Sequence, residues 1–365
     1  MNKKELELYI HIPFCVRKCS YCDFLSAPAT EQTREAYMAA LFAEIGGRAK
    51  DYSDRTVTSI FIGGGTPSLL SGEQIGQLMD RIREQFAMAQ DAEITMEVNP
   101  GTASAEKLRN FYTAGINRLS IGMQSAQAEE LKNLGRIHDF EGFCQVYREA
   151  VEAGFTNINV DIMSGLPGQT LASYRDTLEK VLHLEPMPQH ISAYSLIVEE
   201  GTPFAAMAER GELPLPEEET ERAMYEETIE VLAKYGFHRY EISNYARDGY
   251  ECRHNVGYWI RRDYLGFGIG AASLIDNVRF QNEKSLGAYL AHPLESREEE
   301  QTLTVQDRME ETMFLGLRLT RGVSCVDFAE QYGRTVEEVY GEVIARNVAD
   351  GLLTVTERKE NQKKD

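Results

Sequence analysis

Three cysteines lie within eight residues near the start of the chain, in the order Cys15-Val-Arg-Lys-Cys19-Ser-Tyr-Cys22. At this spacing, three thiolates on one loop can bind three corners of a [4Fe–4S] cluster, whose full ligation would need a fourth cysteine. The open iron could then be chelated by the amino and carboxylate groups of S-adenosylmethionine. The alternatives are incidental thiols or a zinc site, but structural zinc usually has four ligands. No second Cys or His pair with zinc spacing follows, so we predict the cluster.

The elements that must position this loop alternate strand-like runs with amphipathic helical stretches, which is typical of a parallel sheet wrapped by helices. The predicted strands are Leu8–Ile12, Val57–Ile62, Ile94–Val98, Arg118–Ile121, Asn157–Ile162 and Ile191–Leu196. The predicted helices are Thr33–Tyr52, Gly72–Phe86, Ala105–Ala114, Phe140–Ala153 and Leu171–Leu184. The sequence therefore predicts six β/α repeats in its first half.

Chemically reactive residues, or glycines that allow unusual backbone conformations, fall at the ends of five of these strands. In order along the chain they are Cys15, Gly63–Gly65, Glu97, Gln124 and Asp161. In parallel β/α barrels the carboxyl ends of the strands form the reactive face. We therefore expect these residues to share one site.

Each of these residues also has an ordinary structural interpretation. Glycines let a ligand approach the backbone closely, but they also suit a tight turn capped by Thr66 or Ser68. A strand-end carboxylate can accept hydrogen bonds from ribose hydroxyls. An arginine such as Arg136 can bind a carboxylate in a bidentate manner, with two parallel N–H donors. Taken singly, Glu97, Gln124, Arg136 and Asp161 could equally be structural hydrogen-bonding residues or surface charges.

The pattern changes after about residue 200, where Thr202–Pro203 and Leu213–Pro216 indicate a linker. We predict a domain over residues 1–200, a smaller lobe over 201–357 and a polar, disordered tail over 358–365. The lobe is expected to be helical or winged-helix-like. Its predicted elements are the helices Glu217–Lys234, Asp307–Leu319 and Val336–Asn347 and the short strand Gly351–Thr356.

Composition limits the function classes. The chain has 365 residues, 42% of them hydrophobic and 26% charged, as expected for a soluble globular protein. Its net charge of −20 argues against nucleic-acid binding. It has neither an apolar stretch long enough for a membrane span nor a signal-peptide pattern, so we expect a cytosolic protein. In such a protein, Cys144, Cys252 and Cys325 are most simply inert thiols.

Several motifs together resemble those of radical S-adenosylmethionine proteins. Besides the cysteine triplet, these are Gly63–Ser68, Glu97–Gly101 and Asn117–Ser125. Further motifs narrow the resemblance to the oxygen-independent coproporphyrinogen III oxidase family, namely Leu134–His138, Asp161–Gly168 and Tyr240–Asn244. The resemblance covers Tyr9 to about Leu353.

That resemblance implies an α/β fold, a partial (β/α)6 barrel with a smaller C-terminal α+β lobe. It implies that Cys15, Cys19 and Cys22 bind the cluster. It also implies a set of S-adenosylmethionine-binding residues: Tyr9, Tyr21, Gly64, Gly65, Thr66, Glu97, Gln124, Arg136 and Asp161. Family members usually continue beyond the last helix with another hydrophobic stretch, whereas here Gly351–Glu357 runs directly into polar residues.

Three features resemble the heme chaperone branch, known as HemW, rather than the oxidases. Phe24 stands where oxidases usually have a further cysteine, and only fourteen residues precede Cys15. The segment Arg253–Trp259 carries the HNxxYW signature of that branch. In it His254 could ligate heme iron, and Tyr258 and Trp259 could pack on the porphyrin.

The alternative for this segment is a turn with a core histidine and core aromatic residues, and Cys252 is a second candidate heme ligand. The resemblance thus predicts a protein that binds heme and transfers it to apoproteins such as respiratory cytochromes, including acceptors at the membrane surface. The alternative is an oxidase that removes two propionate carboxyl groups of coproporphyrinogen III through a deoxyadenosyl radical. A structural or regulatory iron–sulfur protein is a third class.

Overall fold

The central sheet is built from runs rich in β-branched and aromatic residues, and β4 below is buried along its whole length. The computed structural model describes residues 3–356. Within that range the strands, numbered in chain order, are β1 Lys4–Ile12, β2 Arg55–Gly64, β3 Ala87–Val98, β4 Arg118–Gln124, β5 Ile158–Ser164, β6 His190–Ser195, β7 His238–Arg239, β8 Asn244–Ala246, β9 Tyr264–Phe267, β10 Ala272–Ile275, β11 Val278–Asn282 and β12 Arg297–Thr302.

The helices begin at polar caps, and Ser71 with Gln74 forms a complete capping box at the start of α2. In chain order they are α1 Glu31–Arg48, α2 Gly72–Gln85, α3 Ala105–Thr113, α4 Ala128–Leu134, α5 Phe140–Glu152, α6 Leu171–Leu182, α7 Pro203–Glu209, α8 Glu218–Lys234, α9 Arg253–Trp259, α10 Leu286–Ala291, α11 Val305–Gly316, α12 Cys325–Tyr332 and α13 Val336–Ala349. None of these helices is both long and apolar enough to cross a bilayer.

The strands form one sheet in the order β12-β11-β10-β9-β1-β2-β3-β4-β5-β6-β8-β7. Strands β1 to β6 are parallel and follow one another, as six β/α repeats require. In the described part of the chain, β1 pairs with β9 and β6 with β8, so the six strands remain an open barrel. The predicted α/β fold is therefore confirmed.

Residues beyond the predicted boundary at 200 extend this sheet on both sides, with β9–β12 beside β1 and with β7–β8 beside β6. Helices α11–α13 pack separately around Met309, Phe328 and Val336. The division at residue 200 stays a prediction.

The predicted strand Gly351–Thr356 is wrong. Gly351 adopts a φ of +72° and ends α13 as its left-handed residue. Asn347 O then accepts hydrogen bonds from the amides of Leu352 and Leu353, and the rest of the segment is irregular. Leu352 is 75% exposed and Val355 67% exposed, so the apolar residues that suggested a strand have no sheet to join. The predicted tail 358–365 lies outside the described residues.

Candidate cofactor site

The predicted site residues meet around one cavity of about 590 Å³ at the carboxyl ends of the parallel strands. Parallel strands place their carboxyl ends at the same edge, so side chains distant in sequence become neighbours there. The predicted residues that line the cavity are Cys15, Cys19, Tyr21, Cys22, Gly64, Gly65, Thr66, Glu97, Gln124, Arg136 and Asp161.

The cysteine loop leaves β1 and is closed at its base by backbone hydrogen bonds. The amide of Cys15 donates to Ala27 O at 3.2 Å, and the amide of Ala27 donates to Pro13 O at 3.0 Å. The amide of Ser20 donates to Leu134 O at 3.0 Å, which ties the loop to the end of α4. These bonds hold the three half-buried thiols at the cavity mouth.

The surroundings of the thiols fit an iron–sulfur cluster. Thr66 Oγ1 donates to Cys15 Sγ at 3.5 Å, and Arg136 Nη1 donates to Cys19 Sγ at 3.9 Å. Such donors stabilise sulfur in its thiolate form. Within residues 3–356, no three His, Cys, Asp or Glu side chains converge closely enough to hold a single metal ion. A cubane places each thiolate on a different iron, and three cysteines of one loop suit that wider arrangement.

Gly64 brings the backbone of β2 to the edge of the cavity. Its φ is +110°, and a Cβ at this position would lie 2.5 Å from the ring of His11. Only glycine therefore fits, as a close approach of backbone to ligand requires. The Gly64 amide donates to Glu97 Oε2 at 3.0 Å and fixes that carboxyl beside the exposed backbone.

Asp161 lines the cavity and is half-buried within a polar layer of the barrel. Ser120 Oγ donates to Asp161 Oδ2 at 3.1 Å, and Asn159 Nδ2 donates to Asp161 Oδ1 at 2.7 Å. Burial raises the pKa of Asp161, and these hydrogen bonds oppose the rise. A bound ligand that carries hydroxyl donors or positive charge would stabilise its ionised form.

Gln124 and Arg136 approach the cavity from β4 and from the turn after α4. Gln124 has a φ of +69°, which is uncommon for a residue other than glycine and is often found at functional sites. Arg136 Nη2 donates to Gly122 O at 2.7 Å. The backbone of β4 thus orients the guanidinium that also contacts Cys19.

The two predicted tyrosines are placed differently. Tyr21 lines the cavity. Tyr9 does not, because its hydroxyl shares a hydrogen bond of 3.0 Å with His11 Nδ1 and its ring stacks on Phe61. Tyr9 therefore packs behind the residues that line the cavity, and its predicted contact with S-adenosylmethionine stays a prediction.

His254 is fully buried and lies outside the cavity lining. Its Nδ1 shares a hydrogen bond of 2.9 Å with Ser59 Oγ, and its Nε2 shares one of 3.0 Å with Tyr258 Oη. Its ring stacks on Phe61, with the ring centroids 5.3 Å apart. Burial, assisted by the charge of Arg118, lowers the pKa of His254 to about 3, so the ring is neutral. Both ring nitrogens are engaged, and heme ligation by His254 would require one of these bonds to break.

Most of the other residues of the signature segment α9 likewise do not line the cavity. The ring of Trp259 lies 4.4 Å from the guanidinium carbon of Arg318, and Tyr258 packs edge-on against His254. Cys252 is buried, and burial raises the pKa of its thiol to about 12, so it is a neutral thiol here. Of this segment, only Asn255 lines the cavity. The predicted roles of His254, Tyr258 and Trp259 in heme binding stay predictions.

Several lining residues were not among those predicted from the sequence. They are Arg118, Asn159, Ser192 and Tyr194 on the parallel strands, and Phe24, noted only as a branch marker, at the mouth. The missed signal is alternation, because Arg118, Ser120, Gly122 and Gln124 occupy every second position of β4 and so face the same side.

Two family models match the chain. A model of the radical S-adenosylmethionine superfamily matches residues 9–181, and a model of the HemN C-terminal domain matches residues 303–359. The first covers the end of β1 and the parallel strands β2–β5, and the second covers helices α11–α13.

Known relatives are similar over most of the chain. The heme chaperone HemW of Bacillus subtilis is 40% identical, over 94% of this chain and 92% of the relative. The heme chaperone HemW of Escherichia coli is 37% identical, over 96% of this chain and 92% of the relative. The solved structure of coproporphyrinogen III oxidase (HemN) from Escherichia coli matches with a TM-score of 0.86 and 29% identity, over 98% of this chain and 86% of that chain.

Proposed function

The chain belongs to the HemW family of the radical S-adenosylmethionine superfamily, and on that premise we propose that it binds heme and transfers it to heme-accepting apoproteins. The observation that carries the proposal is that the cysteine loop and Asn255 of the HNxxYW signature border the same cavity. Cofactor residues and the signature of the chaperone branch would then act on one ligand space. Respiratory cytochromes are the proposed acceptors, and a cytosolic location is part of this proposal.

We further propose that Cys15, Cys19 and Cys22 hold a [4Fe–4S] cluster and that S-adenosylmethionine occupies the part of the cavity nearest the cysteine loop. When bound, this pair of cofactors supplies one-electron reductive cleavage of the sulfonium. The chain's own residues position the ligand: the Gly63–Gly65 backbone approaches it, and Glu97 and Asp161 present half-buried carboxyls to its polar groups. Arg136 stands between the cysteine loop and β4 and would hold a carboxylate near the cluster.

Heme is proposed as cargo, held where aromatic and apolar side chains meet the cavity. Phe24 is 57% exposed at the mouth, and Ile197 beside it is 66% exposed. Exposed apolar side chains around a cavity commonly mark a ligand-binding surface. Such a rim would bind a porphyrin weakly enough to release it to an acceptor.

The test is anaerobic reconstitution of the purified protein followed by two assays on the same sample. Titration with hemin should shift the Soret band and saturate at micromolar concentrations. Mixing the heme-loaded protein with a heme-free apocytochrome should then produce the absorption spectrum of the acceptor. Absence of hemin binding, or retention of all heme in the presence of the acceptor, would contradict the chaperone function.

A second candidate is oxidative decarboxylation of coproporphyrinogen III, which the match to HemN over 98% of this chain favours. Phe24, at the position where oxidases usually have a cysteine, argues against it. Incubation of the reconstituted protein with coproporphyrinogen III, S-adenosylmethionine and a reductant separates the two functions. Formation of protoporphyrinogen would establish the oxidase, whereas the chaperone proposal expects none.

A further inference from the structure

The floor of the cavity, defined by Arg118 and Asn255, contains two polar side chains whose hydrogen-bonding groups are free within residues 3–356. Arg118 is only 2% exposed, and its Nε is buried without a hydrogen-bond partner. The half-buried side chain of Asn255 also lines the cavity, and its amide group has no hydrogen bond in this range. Free groups of this kind in a cavity wall are available to a ligand.

The charge of Arg118 is not neutralised by a direct ion pair in the described part of the chain. The carboxylates whose charges act on it are Glu93 and Asp161, and neither lies within 4.0 Å of the guanidinium. Glu93 accepts hydrogen bonds from Cys252 Sγ and from the amides of Arg253 and His254 instead. Burial alone would lower the pKa of Arg118, but the neighbouring groups raise it overall, so the side chain stays a cation. An anionic ligand group could contact this cation directly.

Of the neighbouring polar groups in the described part of the chain, Asn159 and Ser192 are already paired, whereas the buried hydroxyl of Thr95 opposite Arg118 has no hydrogen-bond partner and Asp161 presents a carboxylate to the same cavity. Asn159 Oδ1 accepts from Ser192 Oγ at 3.1 Å and shares a hydrogen bond of 2.6 Å with His190 Nδ1. Ser192 Oγ also donates to Asn244 Oδ1 at 2.7 Å. The donors that remain within residues 3–356 include the guanidinium of Arg118, the side-chain amide of Asn255 and the hydroxyl of Thr95.

The floor lies deeper in the barrel than the residues proposed to contact S-adenosylmethionine. In the register of β3 with β4, Glu97 pairs with Ser120 and Thr95 pairs with Arg118. Two residues of a strand span about 7 Å. A ligand group that reaches Arg118 must therefore pass below Glu97, between the aromatic walls of Phe61 and Tyr194.

We propose that Arg118 and Asn255 form a carboxylate-binding site at the floor of the cavity. The guanidinium offers two parallel N–H donors, which match the two oxygens of a carboxylate, and the amide of Asn255 adds a further donor. This inference rests on the proposed function and deepens it, because both proposed ligands carry carboxylates. The proposed source is a heme propionate, because the amino-acid carboxylate of S-adenosylmethionine is proposed to lie at Arg136 near the cluster. That carboxylate is the alternative source that the test separates.

The experiment compares wild type, Arg118→Gln and Asn255→Ala with paired ligands. Hemin is compared with its dimethyl ester, and S-adenosylmethionine with its decarboxylated analogue. We expect wild type to bind one acid about tenfold more tightly than its carboxylate-free partner, and Arg118→Gln to remove that preference. Asn255→Ala should reduce the preference less. Arg81→Gln, on the exposed face of α2, is the control for loss of a positive charge and should preserve the preference.

The source of the carboxylate is the acid of the ligand pair that Arg118→Gln no longer discriminates. If Arg118→Gln discriminates both pairs as wild type does, the floor site is refuted while the chaperone function stands. If wild type binds neither hemin nor S-adenosylmethionine, the proposed function fails and the floor site fails with it.

Thermal unfolding of the ligand-free variants is the control for folding. The neighbouring groups raise the pKa of Arg118 against the effect of burial, so Arg118→Gln should unfold at a lower temperature than wild type even without ligand. A purely structural role of Arg118 would lower that temperature without changing the preference for acids.

Discussion

The charge of Asp161 raises the pKa of Glu97 within the shared cavity, in addition to the larger effect of burial. Together the two causes bring the pKa of Glu97 to about 8, although the Gly64 amide opposes the shift. In the ligand-free protein, Glu97 is therefore mostly protonated at neutral pH. A cationic ligand would favour its ionised form, so ligand binding and proton release are coupled.

Binding of S-adenosylmethionine should consequently strengthen as the pH rises. Below a pKa of about 8 the free protein must release the Glu97 proton on binding, so the affinity should fall by up to about tenfold per pH unit. Above that pH the effect should level off. Equilibrium dialysis between pH 6 and 9 measures the affinity for S-adenosylmethionine at each pH. The Glu97→Gln variant shows how much of the pH dependence comes from titration of the ligand itself. Equal slopes for wild type and variant would contradict this coupling.

Replacing any of Cys15, Cys19 and Cys22 by alanine should abolish the iron–sulfur cluster. Each thiolate would hold a different iron, and a cubane with two protein ligands is poorly retained. Iron and sulfide content and the visible absorbance after anaerobic reconstitution are the measurements. Cys144→Ala and Cys325→Ala are matched controls and should reconstitute as wild type does. A full cluster in Cys22→Ala would contradict the assigned ligand set.

Phe24→Ala should weaken hemin binding with little effect on folding. Phe24 is 57% exposed, so its removal should change the free energy of unfolding by less than about 0.5 kcal/mol. Phe14 on the same loop is 1% exposed and packs edge-on against Tyr37, so Phe14→Ala should cost about 3–5 kcal/mol. Urea denaturation and Soret titration of both variants measure the two effects. If Phe24→Ala leaves hemin affinity unchanged, the mouth does not contact heme.

The hydrogen bond between His254 Nε2 and Tyr258 Oη provides a test of heme ligation. If His254 is the iron ligand, heme must displace this bond, and Tyr258→Phe should then increase hemin affinity. His254→Ala should abolish the Soret shift and also lower stability by about 2–3 kcal/mol, because it leaves Ser59 without its partner. Titration and thermal unfolding on the same samples measure both. If Tyr258→Phe weakens hemin binding as His254→Ala does, Nε2 is not the atom released for iron.

Much of the barrel could be predicted because its signals are local. An apolar run such as Val57–Ile62 is fixed by its own residue types, and polar residues at strand ends indicate a common edge. A core position for His254 was one of two interpretations of its motif. The residue types alone could not decide between them, because the outcome depends on contacts with Ser59 and Phe61 of a distant strand. Arg118 is an intermediate case: alternation along β4 predicts its inward direction, but only the packed barrel reveals that no anion contacts it.

The pairing of β9 beside β1 has a consequence for how the chain is made. During synthesis β1 leaves the ribosome first, yet its partner residues Tyr264–Phe267 emerge far later. Until then the growing sheet exposes a hydrophobic strand edge, which is the kind of surface that promotes aggregation. A nascent or truncated chain that ends near residue 200 would keep that edge open, so we expect such a chain to aggregate more readily than the full chain.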